Sequence, residues 1–204
     1  MPEPKFFSFD GVDGTGKSTQ IQLFVDWLKE QGHDVVTCRD PGSTRLGEVL
    51  RSIVLGQSES GTEISPRAEA LMYMSARAQL VEEIVRPSLR ENKTVVADRF
   101  LLATVVYQGH GLELGPDRLW SVGDFATGGL LPHRTIVLDL DVKTAAARRT
   151  GEADRIESRD NEYFQKLRDG FHAEAQKHPD RIKLVDASGT IEEVQSAIRK
   201  AAMT

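Results

Sequence analysis

The sequence predicts an α/β protein: a five-stranded parallel sheet flanked by helices. Three observations carry this expectation. Five short apolar runs, several rich in β-branched residues, have the look of strands buried on both faces. Helix-period segments separate them along the whole length. The first run leads through a glycine-rich turn straight into a helix.

The elements follow in order. Strands are expected at Phe6–Phe9, Val35–Cys38, Thr94–Ala97, Thr135–Leu140 and Ile182–Val185. Ile21, Phe24, Val25 and Leu28 recur at helical spacing, with Gly32 as the stop. Leu46, Val49, Leu50, Ile53 and Val54 repeat the pattern up to Gly56. Ser65-Pro66 opens a third helix, Ser as N-cap and Pro in the first turn, running through Leu71, Leu80, Ile84 and Val85. Pro116 opens another, carrying Leu119, Trp120 and Phe125. Asn161 to His178 is amphipathic, and Thr190 to Glu193 reads as a capping box for the last helix. Gly56–Gly61 reads as a surface loop, and no linker or repeat divides the chain. A single domain, 1–204, is therefore expected.

Composition narrows the function classes. Lys plus Arg total 26 and Asp plus Glu 31, a net charge of −5 that disfavours an electrostatic nucleic-acid binder. Apolar residues at 39% suffice for a core. One cysteine, Cys38, cannot form an internal disulfide or a multi-cysteine zinc site. No apolar run is long enough for a membrane helix. The amino end, Met1 to Lys5 and then Phe6, has no apolar leader. A cytoplasmic protein is the expectation.

Gly11-Val12-Asp13-Gly14-Thr15-Gly16-Lys17-Ser18, followed by Thr19, matches G-x-x-x-x-G-K-[ST] between a strand and a helix. Glycines let the backbone curl so that successive N–H groups face phosphate oxygens. The helix N-terminus adds partial positive charge. Lys17 is expected to reach the outer phosphates and the Ser18 hydroxyl to bind Mg²⁺. Three classes share this loop. A GTPase needs Asn-Lys-x-Asp, and the one Asn-Lys here, Asn92-Lys93, continues as Thr94-Val95. An ATPase or switch needs an acidic strand end; Asp98-Arg99 and Asp139-Leu140-Asp141 do not decide that. A small kinase needs an acceptor pocket and a cationic lid, and both have candidates.

The chain resembles the bacterial thymidylate kinases over nearly its full length. The matching pieces are Phe9 to Thr19, Arg39-Asp40-Pro41-Gly42, Ala68 to Tyr73 with Arg77, Asp98-Arg99-Phe100, Tyr107-Gln108-Gly109, Asp154-Arg155-Ile156-Glu157 and Val185-Asp186-Ala187. The chain departs from the usual pattern at Asp40, Ser43, Tyr73, Phe100 and Ala103. The resemblance implies transfer of a phosphoryl group from ATP, with Mg²⁺, to dTMP. It also implies a homodimer. Another nucleoside monophosphate or deoxynucleoside kinase is the runner-up; an ATPase or switch is the alternative from a different class.

The resemblance assigns roles residue by residue. Tyr73 and Arg77, four apart on one helix face, would stack on the base and donate to its carbonyl. Gln108 would pair with a thymine carbonyl and ring N–H, and Tyr107 would lie under the sugar and crowd a 2′-hydroxyl. Arg99 would hold the acceptor phosphate, with Asp98 holding either Arg99 or a Mg²⁺-bound water. Arg51, Asp40 and Thr104 are further pocket positions, and Asp13 sits near the sugar and metal. The lid would span about 143–159, an Ala-rich helix broken at Gly151. The phosphate loop has Gly14 and Thr15 where some relatives carry an arginine, so the transition-state cation is expected from the lid: Arg149 and Arg155, then Arg148.

Overall fold

The computed structural model describes residues 3–56, 63–148, 155 and 159–203. The five expected strands all form: β1 (Phe6–Asp10), β2 (Val35–Arg39), β3 (Thr94–Asp98), β4 (Arg134–Asp139) and β5 (Ile182–Asp186). They make one parallel sheet in the order β2-β3-β1-β4-β5. The fourth strand is shifted one residue from its expected span, because Arg134 pairs with Phe7.

The helices are α1 (Lys17–Glu30), α2 (Arg45–Val54), α3 (Pro66–Leu80), α4 (Arg86–Arg90), α5 (Leu101–Thr104), α6 (Pro116–Thr127), α7 (Val142–Arg148), α8 (Asn161–Lys177) and α9 (Ile191–Met203). The expected caps are present. Ser65 Oγ accepts from the Ala68 N–H, and Thr190 and Glu193 bond each other's backbone N–H reciprocally. Pro87 shortens the third helix. It has no N–H, and its ring displaces the carbonyl four residues back, so Val81–Val85 widens into a π-turn before α4.

One helical stretch went unread in the sequence: α5 and the π-helical turn Val105–Gly111 that continues it. Val105-Val106-Tyr107 has strand propensity, and packing against α6 and α8 overrides it. The expected loop after Gly56 lies largely outside the described residues, as does Arg149.

Alternation along β1 divides the core. Phe7 and Phe9 face α1, with ring centroids 5.2 and 5.3 Å from Phe24. Phe6 faces the other layer and meets Phe100 edge-on at 5.0 Å. β1 is central, and the carboxyl ends of β1, β2 and β3 come level: Phe9 and Arg39 both pair with Asp98. The Arg99 N–H bonds the Phe9 carbonyl at 2.9 Å and the Asp40 N–H bonds the Asp98 carbonyl at 3.0 Å. Three separate loops are thereby stitched into one edge, where ligands of open α/β sheets bind.

Candidate active site

At that edge the loop after β1 forms an anion cradle. Gly11, Gly14 and Gly16 all take positive φ. At Gly14 (φ +90°) a Cβ would stand 2.1 Å from the Ala145 carbonyl oxygen, so no side chain fits there. That excludes a cation inside the loop at this position on steric grounds. Gly16 caps α1 without a side chain, and the first turn carries no acid. The opening N–H groups and the dipole are thus left for an outside anion. Lys17 folds back over the loop. Its Nζ donates to the Gly11 and Val12 carbonyls at 3.0 Å each and lies 3.3 Å from Asp13 Oδ1. Burial lowers the Lys17 pKa, Arg99 adds to that, and Asp13 opposes it. Ser18 and Thr19 are exposed at the mouth.

Arg99 takes positive φ (65°) and turns back to the loop. Nη1 donates to the Gly11 carbonyl at 3.0 Å and Nη2 to Asp13 Oδ1 at 2.7 Å. The Arg99 partner is therefore Asp13. Of the two roles expected for Asp98, pairing with Arg99 is not adopted, and its Oδ1 is buried without a partner. Burial works against ionisation of Asp13, yet Arg99 and Lys17 together hold its carboxyl well below the usual carboxylate range. Asp10, fully buried with both oxygens unpartnered, goes the other way: burial, against Arg99 and Lys17, pushes it up to about 7.

Two cavities meet here. A cleft of about 530 Å³ holds the cradle, with Arg39, Asp98 and Arg148 on its far walls. A deeper cavity of about 180 Å³ runs between α3 and the 101–111 helix, lined by Tyr73, Arg77, Thr104, Tyr107 and Gln108. Asp13, Asp40, Arg51 and Arg99 border both. Arg51 is steadied by the Pro41 carbonyl at 3.2 Å.

In the deeper cavity Arg77 has protein partners that the sequence did not give it. Arg77 is 1% exposed, and its guanidinium serves mainly the protein. Nε donates to Asp40 Oδ2 at 2.6 Å, Nη2 to Thr104 Oγ1 at 2.9 Å and to the Phe100 carbonyl at 3.2 Å, and Nη1 to Met74 Sδ. Four of its five N–H donors are taken, leaving one for a base. Burial raises the Asp40 pKa against the pull of Arg77, and its Oδ1 has no partner. The Tyr107 hydroxyl is likewise buried and unpartnered, with Arg99 5.0 Å from its ring centre. Buried orphan oxygens are uncommon in finished cores. Tyr107 lines the deeper cavity, Asp98 the cleft and Asp40 both, where a polar ligand would complete them.

The lid arginines separate. Arg148 reaches the Ala187 carbonyl at 3.3 Å and lines the cradle's cleft. Arg155 does not reach the cradle. It donates to the Val54 carbonyl from Nε (3.0 Å) and Nη2 (2.8 Å) and pairs with Glu69. Sequence reasoning gave no role to Glu69, Arg39 or Asp10. Glu69 had a signal: it precedes Tyr73 by four and Arg77 by eight, on the same helix face.

Known proteins similar to this chain share one family description. The family model described as thymidylate kinase matches residues 9–198. The chain is 47% identical to a thymidylate kinase of Symbiobacterium thermophilum over 96% of its length and 91% of the relative's. It is 43% identical to one from Rhodopirellula baltica, over 95% of this chain and 78% of that one. The crystal structure of thymidylate kinase from Ehrlichia chaffeensis superimposes with a TM-score of 0.78 at 27% identity, covering 98% of both chains.

Proposed function

The chain belongs to the thymidylate kinase family, and we propose that it phosphorylates dTMP to dTDP with ATP and Mg²⁺. The observation that carries this reading is the pair of abutting cavities sharing Asp13, Asp40, Arg51 and Arg99. A phosphate cradle joined to a second pocket suits transfer between two bound molecules; an ATPase or switch needs only the first.

The residues fit a magnesium nucleotide. Among the described residues no group of three or more His, Cys, Asp or Glu could hold a metal alone. Mg²⁺ keeps water and leans on phosphate oxygens with one or two protein groups. Ser18, exposed at the start of α1, and Asp98, with its orphan oxygen, are those groups. The cation would neutralise charge on the phosphate oxygens. Gly11 to Thr19 hold the donor's phosphates through backbone N–H groups, and Lys17 adds charge. Arg99 holds the acceptor phosphate and is itself aimed by Asp13. Tyr73 stacks on the base, Gln108 reads it, and Tyr107 receives the sugar. Arg148 lines the cleft where transferred charge would develop, and Arg149 is the further lid cation of this reading; Arg155 is held instead by the Val54 carbonyl and Glu69. No side-chain nucleophile is needed: in-line positioning and charge neutralisation suffice.

Two further expectations attach. Leu71 (57% exposed), Val122 and Phe125 (88% exposed) give α3 and α6 an apolar outer face that suits a second copy of the chain. No helix among the described residues is long and apolar enough to cross a membrane; a cytoplasmic location is part of the proposal. The deciding experiment is ADP release in a coupled assay, with and without dTMP. The proposal requires release that depends on dTMP and on Mg²⁺; acceptor-independent release would refute it.

A further inference from the structure

Glu69 is 1% exposed, on the face of α3 that also presents Tyr73 and Arg77. Its two oxygens have divided duties. Oε1 accepts from Gln108 Nε2 at 2.8 Å. Oε2 accepts from Arg155 Nη2 and stands 3.8 Å from Arg159 Nη2. Arg155 is itself anchored on the Val54 carbonyl at the end of α2, and Arg159 lies 4.5 Å over the Tyr163 ring. Arg155 thus pins Oε2 by a charge-assisted hydrogen bond, and Arg159 sets a second positive charge nearby.

An ionised carboxylate only accepts hydrogen bonds. A glutamine amide, in contrast, can be turned end for end about its last torsion, exchanging oxygen for nitrogen. Beside Glu69 one orientation is permitted. Turning Gln108 would set its Oε1 against Glu69 Oε1 with no hydrogen between them. The permitted orientation leaves Gln108 Oε1 and one N–H for the cavity it lines.

That edge is an acceptor and a donor in fixed positions. It matches a pyrimidine that presents a ring N–H beside a carbonyl, as thymine and uracil do. Cytosine presents a bare ring nitrogen beside an amine, and the same amide would have to turn over to meet it. We propose that Glu69 sets the base specificity: it locks the Gln108 amide in the thymine-reading orientation, with Arg155 fastening the lock. Glu69 is a positioning residue and touches no substrate. The inference rests on reading the deeper cavity as the dTMP pocket.

The test is E69Q, whose amide can donate to a turned Gln108. The ratio of kcat/KM for dTMP over dCMP is expected to fall ~10- to 100-fold, since a hydrogen-bonding site rejects a mismatch only while its groups cannot rearrange. The dTMP over dUMP ratio should stay within about twofold, because both bases present the same edge. Q108L separates the premise from the inference. If Q108L leaves the dTMP over dCMP ratio intact, the pocket reading fails and the lock with it. If Q108L collapses that ratio and E69Q does not, the lock alone is overturned. An equal loss for all three substrates in E69Q would mark Glu69 as structural and also overturn it. Should E69Q not fold, E69A reads the same ratio: it removes the acceptor that pins the Gln108 amide, and a wild-type ratio there overturns the proposal.

Discussion

Arg77 Nε and Asp40 Oδ2 stand 2.6 Å apart with both side chains sealed from solvent. They join α3 to the loop after β2 beneath the deeper cavity. A buried pair is strongly coupled: removing one member strands the other's charge. Arg77→Ala is expected to destabilise the fold by about 3–5 kcal/mol as well as weakening dTMP binding. Asp40→Asn keeps an acceptor for Arg77 and should cost less. Urea unfolding of the two variants checks the order, and equal midpoints with wild type would contradict it.

Lys17→Ala should abolish transfer while the fold survives. The side chain bonds two loop carbonyls and Asp13, so its removal loosens the loop but empties no core space. A loss of at least ~10³ in kcat is expected for a cation acting where phosphoryl charge develops, with a change in stability of only about 1–2 kcal/mol. Coupled-assay turnover and thermal melting measure both.

Gly14→Ala should damage the cradle more than Gly16→Ala. Both positions have positive φ, so each substitution strains the backbone. At Gly14 the added methyl also meets the Ala145 carbonyl, whereas at Gly16 nothing lies within 4 Å. Strain alone costs about 1–3 kcal/mol, and the overlap at Gly14 adds a displacement of α7. The KM for ATP is expected to rise more in Gly14→Ala. Similar KM values for the two variants would show that the close approach does not matter.

The arginines of the lid region should differ in kind. Arg148 lines the cradle's cleft, and Arg148→Ala is expected to lower kcat by ~10- to 100-fold with little change in the KM for dTMP. Arg155 ties α2 to Glu69, so Arg155→Ala should raise the KM for dTMP at least as much as it lowers kcat. A pure kcat loss in Arg155→Ala would show that it swings to the phosphates during turnover.

Asp10 makes stability depend on pH in the less common direction for an acid. Its folded value, pushed up to about 7 by burial, exceeds the ordinary value of 3.8. Between these values the folded chain holds a proton that the unfolded chain has released, so stability falls as pH rises from about 4 to about 7. The span of roughly three pH units sets an upper limit of about 4 kcal/mol. Asp10→Asn should remove this slope and melt higher than wild type at pH 8. A wild-type slope in the variant would show that Asp10 is not its source.

The sequence by itself determined the strands, the caps and the phosphate loop, because each is written locally. A strand buried on both faces needs an unbroken apolar run; the cradle needs glycines at positions of positive φ; a capping box needs Thr190 and Glu193 three apart. It also marked which residues gather at the deeper cavity, since Tyr73, Arg77, Thr104, Tyr107 and Gln108 all line it. Hydrogen-bond partners were another matter. Arg77 could have faced a ligand or the protein, and only the approach of the β2 loop gave it Asp40. Asp98, its neighbour in sequence, was the candidate for Arg99, and only the backbone at Arg99 turned the guanidinium toward Asp13. Glu69 and Arg155 are 86 residues apart, and no local pattern ties an acid on α3 to a cation in the lid. A charged side chain reaches several partners along the sequence, and burial leaves it only those that the packed elements bring within bonding distance.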